Sequence, residues 1–316
     1  MNLAYTKGLH ELGDGLHAYL QPNGGWGWSN AGLITSPGGG SLLVDTLFDL
    51  KLTGEMLESM RALTDAHPIE AAMNTHANGD HCFGNQLLPA GVTIYGTSTT
   101  VEEMATAPPE LVSFLFKGDH GDPVFARFAR EKFGPFDWEG CELRLPDSTF
   151  DGRLSLSVGE RAVEFIEVGP AHTGSDSIVH VPDAGVVFTG DLLFIGGTPI
   201  VWHGTFRNWL DACETILGLA ARVLVPGHGP VTDDEGVRGV MRYLEYVLAE
   251  AHIRFDAGMD AEAAADDIPL GEFSDWSDRE RIAVNVESAY REFDPSRPVP
   301  AVPELFMRMA RWSDRH

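Results

Sequence analysis

Asn74-Thr75-His76-Ala77-Asn78-Gly79-Asp80-His81, running on into Cys82-Phe83-Gly84-Asn85, decides how this chain is read. Two imidazoles and one carboxylate fall between His76 and His81, directly after the apolar run Ile69 to Met73. Imidazole combined with carboxylate suits zinc or a similar first-row metal. Asn78 is the odd member, standing where a third imidazole would complete the cluster. The apolar run reads as a strand, which places the cluster at a strand's carboxyl end, where functional loops gather in layered α/β folds.

Three later segments share that form. Gly169-Pro170-Ala171-His172-Thr173-Gly174 follows the strand-like run Val163 to Val168 and sets a histidine in a Gly-flanked turn. Phe188-Thr189-Gly190-Asp191 ends the run that begins at Gly185 on a carboxylate. Val225-Pro226-Gly227-His228-Gly229-Pro230 ends the run Arg222 to Pro226 on a histidine between glycines, where the backbone can approach a bound ion closely. A lone histidine after a strand is usually just hydrogen-bonded. Four such strand ends, all bearing imidazole or carboxylate, are hard to explain as packing.

With those motifs in hand, the chain resembles the metallo-β-lactamase superfamily from about Leu12 to Val231, carrying T-H-x-x-x-D-H, G-P-A-H-T, T-G-D and P-G-H-G in order. The resemblance implies an α/β (α+β) fold, an αββα sandwich with its site at one edge of two facing sheets. It implies one metal site at His76, Asn78 and His172, and a second at Asp80, His81 and His228, with Asp191 bridging. Because a carboxamide is a poorer zinc donor than imidazole, Asn78 is expected to be a weak ligand or none. The expectation is therefore one tight zinc ion, or another divalent metal, and a second that is labile or absent.

Such a metal lowers the pKa of water to about 7 and polarises carbonyls, which matches hydrolysis of an ester or thioester. Asp80 is the candidate for orienting water, and His76 and His172 for proton transfer. Gly24-Gly25-Trp26-Gly27-Trp28-Ser29-Asn30 lies where β-lactamase relatives carry a mobile flap, so Trp26 and Trp28 are candidates to cover a substrate. Trp202-His203-Gly204-Thr205-Phe206-Arg207 adds His203 and Arg207 as candidate binding residues.

Two other readings belong beside hydrolysis. The G-G-W…S-N-A-G and G-D-H-C-F-G-N-Q segments are similar to the cyclase/thioesterase enzymes of aromatic polyketide pathways, in which a metal-assisted aldol closure replaces attack by water. The third reading is a non-catalytic metal- or ligand-binding protein on the same fold.

The organisation is expected to be a catalytic domain over 1–258, an aromatic-rich helical insertion at 97–147, and a helical extension over 259–316. Leu50 to Leu63 carries helical spacing, and Thr232-Asp233-Asp234-Glu235 has the form of a capping box opening a helix through Phe255. The extension, with Trp276, Tyr290, Phe306 and Trp312, serves either to cover the site or to form a subunit contact such as a homodimer's. The 316 residues carry a formal net charge of -25, which repels phosphate backbones and argues against nucleic-acid partners. No run is apolar enough for a membrane span, and Met1 to Asp14 lacks the pattern of a secretion signal. Cys82, Cys141 and Cys213 are odd in number and far apart, which fits a reducing cytoplasm. A small apolar or aromatic molecule is the expected substrate. Cys82 is expected to pack beneath the site.

Overall fold

The computed structural model describes residues 3–316. In chain order the first half comprises strands β1 (Gly8–Gly13), β2 (Leu16–Leu20), β3 (Ala31–Thr35) and β4 (Ser41–Val44), helix α1 (Leu50–Thr64), strand β5 (Ile69–Met73), the short helix α2 (Gly79–Cys82), and strand β6 (Thr93–Thr97). Helices α3 (Ser98–Thr106), α4 (Pro109–Lys117) and α5 (Pro123–Phe133) form the insertion. Strands β7 (Ser148–Phe150), β8 (Arg153–Val158), β9 (Arg161–Glu167), β10 (Ser177–Val181) and β11 (Val186–Phe194) follow, then α6 (Phe206–Gly218) and β12 (Val223–His228). The chain finishes with α7 (Asp234–Asp256), α8 (Ala261–Asp267), α9 (Ile282–Phe293) and α10 (Val302–Arg315).

Two sheets stack face to face. One runs β1 to β7 in sequence order; the other runs β12-β11-β10-β9-β8. Leu16, Ile34, Leu42, Met73, Phe165, Val179 and Val186 meet between them in one buried cluster. That burial follows from period-two patterning, which sends alternate side chains of each strand to the shared face. Helices cover the outer faces around a second, larger cluster that includes Met56, Trp209 and Tyr243. This is the expected αββα arrangement.

Parallel pairing positions the site. β4 and β5 run parallel, as do β11 and β12, so their carboxyl ends open at the same edge. There the sheets are stitched by backbone bonds: Ser177 N–H donates to Thr75 O at 2.9 Å and Asn30 N–H to Gly227 O at 2.7 Å.

Most expected elements appear within a few residues, with two differences. β7 and β8 precede the expected restart of strand structure at Val163. The cap of α7 is Asp233, whose side chain accepts from Glu235 N–H, and not Thr232. Thr232 is held instead by two 2.9 Å backbone bonds to Leu224, leaving Asp233 as the first residue free to cap.

Helices α8 to α10 share one continuous apolar cluster with α5, α6 and α7, through Ala264, Val284, Tyr290 and Met309. No helix among the described residues is long and apolar enough to cross a membrane.

Candidate metal centre

His76, Asp80 and His81 sit on the loop and short helix after β5; His172 lies between β9 and β10; Asp191 is inside β11; His228 ends β12. The structure brings all six together. His81 Nε2 lies 3.0 Å from Asp191 Oδ1, and Asp191 Oδ2 lies 3.3 Å from His172 Nε2 and 3.4 Å from His228 Nε2. Asp80 Oδ2 is 3.3 Å from His228 Nε2 and 4.0 Å from His81 Nε2. His76 Nε2 stands 3.8 Å from Asp191 Oδ2.

These spacings fit a metal. Tetrahedral zinc with bonds near 2.0–2.1 Å sets its ligand atoms about 3.3 Å apart. Two groups are compact enough to hold an ion, Asp80/His81/His228 and His76/His81/Asp191. His81 Nε2 and Asp191 Oδ1 face each other at 3.0 Å, yet neither makes a well-aligned hydrogen bond. Buried donors and acceptors so poorly aligned leave lone pairs free for a further binding partner.

Asn78 points into the same centre. Its Oδ1 lies 2.7 Å from His172 Nε2 and 3.1 Å from His76 Nε2. The first site implied by resemblance is thus present as a neutral carboxamide between two imidazoles. His81, expected only in the second site, belongs to both compact groups, because its Nε2 reaches Asp191 on one side and Asp80 on the other.

The outward ring nitrogens of His76, His81 and His172 are held by partners that orient the imidazoles, as metal ligation favours, whereas His228 Nδ1 has none. His81 Nδ1–H donates to Asp45 Oδ2 at 2.9 Å, and Thr75 Oγ1–H donates to the same oxygen at 2.8 Å. His76 Nδ1 lies 3.0 Å from Thr75 Oγ1, completing a chain from Asp45 to His76. His172 Nδ1–H donates to Ile200 O at 2.7 Å. Asp176 accepts from Ala171 N–H, Thr173 N–H and Thr173 Oγ1–H, fixing the turn that carries His172. Asp45 and Asp176 are absent from the sequence reading. The available signal was Asp45 itself, a carboxylate ending an apolar run as Asp191 does.

Electrostatics divide the histidines. Burial pushes His172 down to about 4, Asp191 only partly opposing it, and burial lowers His76 as well. Burial also works against charge on His228 and His81, but carboxylates outweigh it. Asp191 and Asp80 lift His228 to about 9, and Asp191, Asp45 and Asp80 raise His81 well above its usual value. Asp191 is held well below the carboxylate range, since the surrounding imidazoles outweigh its burial.

Gly227 shows how tightly the centre is packed. A Cβ there would collide with Asp191 Oδ1. The glycine therefore admits the carboxylate of the neighbouring strand, where the sequence suggested room for the ion itself.

Above the centre opens a cavity of about 590 Å³, whose lining includes Asn78, Asp80, His172, Asp191 and His228 at one end and Trp26, Phe116, Phe133, Trp202 and Phe306 beyond. His203 lines it too, beside Glu103 at 3.6 Å. Three expectations need correction. Trp28 is not part of the wall, because its ring packs on Phe136 at 4.9 Å; Arg207 is exposed at the start of α6, outside the cavity. Nor is Trp26 a free flap residue: its Nε1–H donates to Glu280 Oε1 at 2.8 Å. Cys82 is fully buried, with Sγ against the Ala77 and Asn78 carbonyls, and it packs beneath the loop.

A fold of two facing sheets with this His/Asp edge has known counterparts. The sequence model of the metallo-beta-lactamase superfamily matches residues 24–228, and the chain belongs to that superfamily. Within it, hydroxyacylglutathione hydrolase from Brucella ovis (strain ATCC 25840 / 63/290 / NCTC 10512) is 29% identical over 117 residues, covering 34% of this chain and 44% of the relative. The same figures hold for the protein of that name from Brucella abortus (strain 2308). The chain thus spans less than half the length of these curated relatives. Among solved structures, a metallo-beta-lactamase from Pontibacter korlensis is similar at 18% identity and TM-score 0.56, over 75% of this chain and 98% of that one. The stereoselective inverting sec-alkylsulfatase Pisa1 from Pseudomonas sp. is similar at 17% identity and TM-score 0.66, over 93% of this chain and 52% of that one. At such identities the likeness is one of fold.

Proposed function

We propose that this protein is a metal-dependent hydrolase of an ester or thioester with a bulky apolar or aromatic substrate. The observation that carries this reading is the convergence of four imidazoles and two carboxylates at the end of a largely apolar cavity. Asp80, His81, His228 and Asp191 would hold a divalent ion, zinc being the best match to this donor set. Bound there, the ion supplies a Lewis acid that acidifies water to near neutrality and polarises a carbonyl.

The chain's own groups supply the rest. Asp80 is the most accessible carboxylate of the centre, placed to accept a hydrogen bond from attacking water. His76 and His172, whose pKa values burial lowers, are neutral at pH 7 and able to accept a proton. The aromatic wall excludes water and positions the apolar part of the substrate. The name of the curated relatives, a thioester hydrolase's, fits the same reaction class.

A second reading, metal-assisted aldol ring closure on an aromatic polyketide-like substrate, is favoured by the same aromatic cavity and by Asn78 between His76 and His172. Purified protein loaded with zinc separates the two. Turnover of nitrophenyl esters and acyl thioesters, abolished by chelation and restored by zinc, is the expected result. No turnover of either panel, with cyclised product from a poly-β-ketone surrogate, would replace hydrolysis by the second reading.

A further inference from the structure

The last helix reaches back over the metal centre. Val302, Phe306 and Met307 of α10 line the same cavity as His172, Asp191 and His228. Phe306 is 7% exposed, and its ring meets four others: Phe116 at 4.9 Å, Trp202 at 5.4 Å, Trp26 at 5.5 Å and Phe133 at 5.9 Å. Those four rings come from α4, the segment after β11, the β2–β3 loop and α5. One side chain from the end of the chain thus closes a wall assembled from distant segments.

That wall is fixed in advance of binding. α10 is docked through Trp312 Nε1–H, which donates to Ala265 O at 3.1 Å, and Arg308 Nη1–H, which donates to Glu287 Oε2 at 2.8 Å. Trp26 is held from behind by Glu280 and by the Arg281 guanidinium, 4.1 Å from its ring centroid. Lys132 joins the set at 3.1 Å from Asp278 and 3.4 Å from Glu280. Rigid aromatic walls discriminate by size, because neither the rings nor their supports yield to an oversized group.

Charge narrows the ligand further. Arg281 is the one Lys or Arg among the described residues that line the cavity. It is already engaged, donating to Thr198 O at 2.8 Å and lying 3.3 Å from Asp278 Oδ2. A thiol carrier bearing carboxylates or phosphates therefore meets no free Lys or Arg along the wall, and Glu103 lines it as well. At the mouth the lining continues as Leu111, Phe114 and Val302, which are 50%, 66% and 44% exposed, so a chain too long for the cavity leaves over apolar surface.

We propose that Phe306 and Met307 set the size of the group the site accepts, and that this group is a neutral medium-chain or ring-bearing acyl or aryl group. The assignment deepens the hydrolase reading and rests on it for the reaction, but its binding arm can be tested separately. The zinc-loaded full chain is assayed with 4-nitrophenyl esters from acetate to myristate and with the anionic succinate ester. The neutral butyrate ester is expected to exceed succinate, and the optimum to lie near decanoate. Phe306→Ala is expected to move the optimum to longer chains. Met307→Trp is expected to lower the decanoate-to-acetate ratio of kcat/KM about tenfold, the scale of a few methylenes excluded from an apolar pocket.

In parallel, the neutral fluorophore N-phenyl-1-naphthylamine is titrated into the full chain. Its Kd is expected to weaken about tenfold in Met307→Trp, whether or not any ester is turned over. If no ester is hydrolysed yet probe binding shifts in this way, the hydrolase reading fails and the role of α10 stands. Should Phe306→Ala not fold, Met307→Trp and Val302→Trp at the exposed rim carry the test. Unchanged ester preference and unchanged probe affinity in folded variants, or preference for the succinate ester, would overturn the proposal.

Discussion

Asn78 and Asp45 govern the metal centre at the scale of single residues. Asn78 places a neutral oxygen 2.7 Å from His172 Nε2 and 3.1 Å from His76 Nε2, where an imidazole would be the stronger zinc donor. Replacing it supplies the missing imidazole: Asn78→His is expected to raise bound zinc from one toward two per chain, measured by elemental analysis after dialysis. Asp45 takes no part in direct ligation, yet it orients both His81 and, through Thr75, His76. Asp45→Ala is expected to weaken metal affinity about 10–100-fold in a competition titration, the usual cost of losing an orienting partner. Protons compete with metal at His228, whose pKa is lifted to about 9. Metal must displace that proton at pH 7, and one from His81, which is raised as well, so affinity is expected to rise with pH from 7 to about 9. Calorimetry in buffers of different ionisation enthalpy would register the released proton.

The same histidines set the acid response of the metal-stripped protein. His172 falls from its usual 6.5 to about 4, so between those values the unfolded chain binds more protons than the folded one. Its contribution is therefore present above about 6.5 and lost as pH falls toward 4. His228 acts in reverse: its contribution is complete below about 6.5 and lost as pH rises through about 9. Denaturant melts of the chelated protein are expected to show stability falling at both ends, and a profile flat from pH 4 to 9 would contradict this.

Among secondary elements, the parallel pairs β4/β5 and β11/β12 do most to build the site. They bring Asp45 beside the His76–His81 loop and Asp191 beside His228, although each pair is far apart in sequence. Gly227 permits the second approach, and Gly227→Ala, whose Cβ would meet both Asp191 Oδ1 and the Gly190–Asp191 backbone, is expected to lower metal content and melting temperature together. The helices α8 to α10 share the core of α5 to α7 and also wall the cavity. A chain ending at residue 258 would expose that core, and is expected to aggregate rather than yield a smaller active domain.

Across the whole molecule, the two-sheet sandwich presents one edge on which every candidate ligand converges, and the helices turn that edge into an apolar cavity. A metal bound only by the folded state adds stability by mass action, so chelation is expected to lower Tm by several degrees, restored by added zinc. The ligand set was legible in the sequence because each member carries its own local signal, an imidazole or carboxylate closing an apolar run. Trp26 was legible as a candidate, but its partners were not. Glu280, Arg281 and Phe306 lie more than 250 residues further on, and no local pattern links them to a Gly-rich loop.

The sequence by itself determined the superfamily and pointed to six imidazole- and carboxylate-bearing residues and to Asn78 among them, since these depend on residue type and short spacing. Only the tertiary structure decided that Asp45 and Asp176 support the histidines, that Trp28 and Arg207 lie outside the cavity, and that the last helix walls it. The physical reason is one of range: strand ends advertise themselves locally, whereas ring packing and buried ion clusters exist only once distant segments meet.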